Sequence, residues 1–150
     1  MVKQFFLGII SLLLIISCES SDDSNDNRIS LTENEIPIEI STFKNTYFPT
    51  ATIRQAYKYS DYREYEVYLS NGFELEFNQN FEITEIEGYS KIPDALIPQT
   101  ILNYVNTNYP SNDIFEWELE YNIQEIELNN RIELLFSLSG DFIGLGNSYD

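Results

Sequence analysis

The chain has 150 residues, 8 basic and 25 acidic, and a formal net charge of −17. That length suits one domain, two at most, and the charge excludes sequence-independent nucleic-acid binding, which needs Lys and Arg to displace counterions. The chain has no His and a single Cys, which excludes Ser-His-Asp and Cys-His catalysis, His-ligated metals, an intrachain disulfide and Cys-clustered zinc or iron–sulfur.

Residues 5–16 form an apolar run broken only by Gly8 and Ser11, behind a short positive stretch with Lys3. At about twelve residues the run is too short to span a ~30 Å hydrocarbon core and fits the h-region of a secretory signal peptide. Ile15-Ile16-Ser17-Cys18 then resembles the lipobox of bacterial lipoproteins. The resemblance implies cleavage after Ser17, a diacylglycerol thioether on Cys18 and stable anchoring through several acyl chains. Residues 1–17 are thus expected as a lipoprotein signal peptide. Residues 18–32 are expected as a lipidated Cys and an acidic flexible tether, since 19–27 holds four acids and no apolar residue. The expected location is the outer membrane, surface-exposed or periplasm-facing, with the lipid as the membrane contact.

Residues 33–150 read as one unit written twice, 33–90 and 91–150. Ile36-Pro37 and Tyr47-Phe48-Pro49 match Ile97-Pro98 and Asn108-Tyr109-Pro110 at an offset of 61. Val67 and Leu69 match Ile126 and Leu128 at 59, as residues 73–77 match 132–136, and Phe81 matches Phe142 at 61. Each copy begins with a helix. Pro37 and Pro98 suit its first turn, and Ile36, Ile40, Phe43 and Tyr47 recur at helical spacing. Pro49 and Pro110 stop the helices. An aromatic strand follows, near 51–59 and 114–121; in the second copy Phe115, Trp117, Leu119 and Tyr121 alternate with Glu116, Glu118 and Glu120.

The next two strands form a hairpin whose register can be worked out. A two-residue turn at Asn71-Gly72 would mix apolar and acidic residues on both faces. A three-residue turn, Ser70-Asn71-Gly72, pairs Leu69 with Phe73, Val67 with Leu75 and Tyr65 with Phe77. It also puts Gly72 where a left-handed residue is wanted. The same register puts Glu66 opposite Glu76, and in the second copy Glu127 opposite Glu133, although Arg131 there replaces the glycine. A last strand is expected near 81–86 and 142–145. The expected class is α+β: a tandem repeat of a helix followed by antiparallel β-strands, with the helices packed on one face of the sheet. Each copy alone buries too little surface, so the two should share a core or a continuous sheet.

A helix opening on Ile-Pro and closing near Tyr-Phe-Pro, then residues 65–72 with the Ser-Asn-Gly turn and residues 73–77, resemble the PepSY-like, β-lactamase-inhibitor-like family of secreted Bacteroidota proteins. The likeness covers about 115 residues and implies a repeated α+β fold in the cell envelope. That family has no established activity, so no functional residue is carried over.

The search for chemistry returns little. Gly140, Gly144 and Gly146 make no phosphate-binding motif, and Asp22, Asp23 and Asp26 lack the loop of an EF-hand. No catalytic residue, metal site or cofactor is predicted, and Trp117 reads as core. Among Tyr57, Tyr59, Tyr62, Tyr65 and Tyr68, the last faces away from Val67 and Leu69, towards the acids. The candidate binding face is therefore Tyr68 with Glu66, Glu74, Glu76, Glu116, Glu118, Glu120, Glu127 and Glu133. Like charges opposite one another destabilise a sheet by up to about 1 kcal/mol per pair. The arrangement is either tolerated through solvent screening or used against a basic protein or peptide, or divalent cations. The functional reading is a non-catalytic envelope lipoprotein that binds protein or peptide, inhibitor-like by resemblance. A structural or accessory role is the alternative, and an acid-dependent hydrolase the remote one.

Overall fold

The computed structural model describes residues 27–59 and 64–146. The signal peptide, Cys18 and Tyr62 lie outside the described residues. In chain order the elements are β1 (Ile29–Ser30), α1 (Ile38–Tyr47), β2 (Ile53–Lys58), β3 (Tyr65–Leu69), β4 (Glu74–Phe77) and β5 (Ile83–Glu87), then α2 (Gln99–Asn108), β6 (Ile114–Glu120), β7 (Ile123–Leu128), β8 (Glu133–Ser137) and β9 (Phe142–Leu145). The strands form one antiparallel sheet in sequence order, β1 to β9.

The expected class is overturned. Two ten-residue helices stand against nine strands in a single sheet, so the protein is predominantly β rather than an α+β tandem of helix and strands. Sequence periodicity weighted each helix as half of a unit; the two copies do share one core and one continuous sheet, and that sheet outweighs the helices. Beyond α2, β6 returns antiparallel to β5, with Glu85, Ile86 and Glu87 opposite Glu118, Trp117 and Glu116. Pro37 and Pro98 stand at the N-caps, both at φ −54°, one position ahead of the first turn.

Both hairpin registers are as derived. Tyr65, Glu66 and Val67 face Phe77, Glu76 and Leu75, and Ile126 and Glu127 face Leu134 and Glu133. Leu69 N–H donates to Phe73 O at 2.8 Å across a turn in which Gly72 has φ +87°. Leu128 N–H donates to Ile132 O at 3.0 Å, and Arg131 takes φ +66° in the place of the glycine, at a cost of about 1 kcal/mol. The last strand of the second copy lies where expected, at 142–145, whereas that of the first runs from 83 to 87 rather than from 81 to 86. Phe81 sits in a left-handed turn at φ +62°, as Gly140 does at +83°. Phe142 faces Phe136 as Ile83 faces Phe77, so Phe142 corresponds to Ile83 at an offset of 59, and the match of Phe81 to Phe142 is an aromatic coincidence. Tyr121 is likewise a left-handed turn residue at φ +50° and 92% exposed, not part of the apolar face. A bulge between Ile114 and Glu116 takes Phe115 out of phase.

One face of the sheet carries the core. Leu75, Phe77, Ile86, Ile126, Leu128, Leu134 and Phe136 are fully buried together with Ile40 of α1 and Ile101 of α2. Phe43 packs edge-on to Phe77 at 5.3 Å, and Tyr104 to Phe136 at 5.3 Å. Trp117 is buried, and its Nε1 donates to Gln124 Oε1 at 3.1 Å while Gln124 Nε2 donates to Ser137 O at 2.9 Å. Both helices lie on this face, which leaves the other face of the central strands uncovered by them. Among the described residues, no helix is long and apolar enough to cross a membrane.

Candidate functional site

The uncovered face is set by period-two alternation: each buried Val, Leu or Ile of β3 to β8 is followed by a residue on the opposite side. Most of those residues are glutamates, and the registers align them in two rows. Glu66, Glu76, Glu85, Glu118 and Glu125 are consecutive neighbours across β3 to β7. Glu74, Glu87, Glu116, Glu127 and Glu133 are consecutive neighbours across β4 to β8, with Tyr68 at the β3 end. Strand spacing puts successive members of a row about 4.8 Å apart at the backbone.

Of the residues expected on this face, all but Glu120 fall in these rows; Glu120 lies opposite Ile123 beside the β6–β7 turn. Sequence reasoning missed Glu85, Glu87 and Glu125. Glu85-Ile86-Glu87 alternates, but a bulge between Glu76 and Phe77 sets Ile83 opposite Phe77 and Ile86 opposite Leu75, so no period of two runs through 83–87, and the expected strand ended at 86. Also unexpected is depth at the β3–β4 end, where Glu66 is 4% and Glu76 6% exposed. The hydroxyls of Tyr59 and Tyr68 donate to the two carboxylate oxygens of Glu66. Arg28 lies 4.6 Å over the ring of Tyr57, which meets Tyr68 edge-on at 6.2 Å. Exposed Arg131 pairs with Glu127 at 3.3 Å, a contact worth little in solvent.

Crowding drives the acids to different proton affinities. Burial alone would raise Glu66, but hydrogen bonds from Glu74, Tyr59 and Tyr68 and the nearby Arg28 charge hold it below the ordinary carboxylate value. Glu74 moves the opposite way, to about 8, through burial and the proton it shares with the charged Glu66. Burial and the charges of Glu76 and Glu118 push Glu85 to about 8. Burial with Glu87 and Glu127 pushes Glu116 to about 7. Glu118 and Glu125 are raised by burial and by their acidic neighbours. Tyr68 is raised by burial and by Glu66. The face therefore holds protons at neutral pH that isolated carboxylates would have lost.

Carboxylate oxygens of Glu66, Glu74 and Glu76 all lie within 4.8 Å of one another. Two ligands of a single Ca²⁺ at about 2.4 Å are at most about 4.8 Å apart, so one ion can reach all three. Hard anionic oxygens are also the donors that calcium takes.

The sequence profile of a family described as beta-lactamase-inhibitor-like, PepSY-like matches residues 24–85 and 63–144. A periplasmic protein of Bacteroides thetaiotaomicron, described as calcium-regulated, is 29% identical with a TM-score of 0.74, over 80% of this chain and 97% of its own. A periplasmic protein of unknown function from Bacteroides vulgatus is 26% identical at TM-score 0.75, over 80% and 99%. Another from the same species, of the DUF2874 family, is 31% identical at 0.73, over 85% and 99%. No curated protein matches the chain.

Proposed function

We propose that this chain, which belongs to the beta-lactamase-inhibitor-like, PepSY-like family, is a non-catalytic binding module of the bacterial cell envelope whose carboxylate face takes up calcium. The observation that carries this reading is the Glu66, Glu74 and Glu76 trio, with oxygens close enough for one ion. Its crowding is relieved at neutral pH by a proton on Glu74, and a divalent cation supplies the same neutralisation with more charge. The likeness to a protein described as calcium-regulated supports it. Binding should therefore release protons.

The test is thermal unfolding and calorimetry of the full chain at pH 7.5 and low salt. Calcium at about 5 mM should raise the midpoint, as any ligand of the native state does. The heat of binding should vary with the ionisation enthalpy of the buffer, and Glu66→Gln and Glu76→Gln should each weaken the response. A midpoint that moves no more than in NaCl of equal ionic strength would refute the reading.

The module is tethered, on this reading, by lipid at Cys18, the sole Cys, at the end of the apolar run. Cys18→Ser should convert the protein from membrane-bound to soluble on fractionation. Retention of that variant in the salt-washed membrane would rule the anchor out.

A further inference from the structure

Among the described residues, no strand pairs with the outer edge of β9, the last strand of the sheet. Gly146 N–H donates to Glu133 O at 3.0 Å, so the alternation of an antiparallel ladder turns the N–H and C=O of Leu145 away from β8, outwards. β9 sits against β8 as β5 sits against β4: Leu145 faces Leu134 as Ile86 faces Leu75. The outer edge of β5 is occupied by β6, and Trp117 opposite Ile86 leaves that side chain 0% exposed. No described strand takes the same place beside β9, and Leu145 is 63% exposed. Phe142, Ile143 and Leu138 are exposed around it. Phe142–Leu145 carries no charge and no Pro, the usual guards of an edge.

The carboxylate face changes character here. Where β5 has Glu85 and Glu87, β9 has Gly144 and Gly146. A Cβ on Gly144 would meet nothing within 4 Å, whereas one on Gly146 would lie 2.6 Å from Glu133 Oε2. The Glu133 carboxylate thus lies across the bare backbone of Gly146, towards the position that Glu87 fills in β5.

We propose that the outer edge of β9 is a docking site for an extended basic segment of another protein, which adds to the sheet as an antiparallel strand. An apolar side chain would cover Leu145 as Trp117 covers Ile86. Lys or Arg on either side would stand on the carboxylate face, one of them beside Glu133. Main-chain bonds supply the affinity in such strand addition, and the alternating side chains supply the selectivity. Charge selects the occupant. A second copy would bring Glu133 and Asp141 of two chains at net −17 towards one another, against their mutual repulsion. The site lies at β8 and β9, apart from the Glu66, Glu74 and Glu76 trio of β3 and β4, so it stands or falls separately from calcium uptake.

The probe is a fluorescein-labelled peptide, Thr-Val-Lys-Trp-Lys-Val-Thr, titrated with the full chain at low salt and read by anisotropy. Saturable binding is expected. Leu145→Pro removes the outward donor at an edge position that tolerates proline and should weaken binding by about tenfold or more. Glu133→Gln should weaken it by about threefold and flatten its salt dependence. A peptide with Glu for both Lys should not bind. Neither should one N-methylated at the Trp amide, a control that leaves the protein untouched. Absence of saturable binding overturns the proposal. So does equal binding of the N-methylated probe, which would mean mere adherence to the acidic face. A concentration-dependent dimer in sedimentation, dissolved by Leu145→Pro, would make the occupant a second copy and overturn it likewise.

Discussion

The unfolding midpoint should fall by about 10 °C as the pH rises from about 5 to about 8.5 at low salt. Glu74, Glu85 and Glu116 titrate in the folded chain near 8, 8 and 7, against an ordinary value of 4.5. Between those limits the folded state holds more protons than the unfolded state, so stability declines with rising pH. The contribution is complete below about pH 4.5 and is lost as the pH passes 7 to 8. Each tenfold gain in a carboxyl group's proton affinity on folding is worth about 1.36 kcal/mol. Solvent at the face and relaxation of the strands bring the combined effect to about 3 kcal/mol, which is about 10 °C for a chain of this size. Glu66, held below its ordinary value, works the other way: its contribution is present above the ordinary carboxylate range and is lost on acidification. The midpoint should therefore peak near pH 5. Calorimetry from pH 4 to 9 checks this, and replacing Glu74, Glu85 and Glu116 with Gln should flatten the alkaline slope. A midpoint that is constant or rising between pH 5 and 8 contradicts the account.

Truncating Phe77 or Phe136 to Ala should cost about 3–5 kcal/mol each. Both rings are 0% exposed, at corresponding places of β4 and β8, and each loses an edge-on aromatic partner, Phe43 or Tyr104. Because β5 pairs with β6 and one apolar cluster includes residues from both sides of that junction, either truncation should lower a single transition of the whole chain. Two separate transitions in calorimetry would mean that the β5–β6 seam does not couple the two sides.

The hairpins were legible because their information is local. The spacing of Leu69 and Phe73 around Gly72 admits one register, and that register alone sets Glu66 against Glu76. The sheet as a whole was not, since the pairing of Glu85 and Glu87 with Glu118 and Glu116 spans all of α2 and leaves no periodic trace. Three of the ten glutamates in the two rows, Glu85, Glu87 and Glu125, thus stayed hidden. The depth of Glu66 was hidden for a similar reason: one covering hydroxyl, that of Tyr59, comes from just past β2, and nothing near Glu66 in sequence announces it. The offset of Phe142 was misread because aromatic identity outweighed turn geometry. Phe81 takes the left-handed turn position that Gly140 holds in the second copy, and a phenylalanine carries no sign of that conformation.

The strict succession of strands also governs how the chain reaches this state. Six of the eight neighbour pairings join strands separated by at most six residues of sequence, contacts that close at little loop entropy. Two must close across a helix, β1 on β2 and β5 on β6, and the first involves only two residues of β1. Assembly is then local zipping on either side of α2 followed by one costly closure. The seam between β5 and β6 closes the longest of these loops and carries the largest closure entropy, far from the carboxylates at the β3–β4 end and from the outer edge at β9.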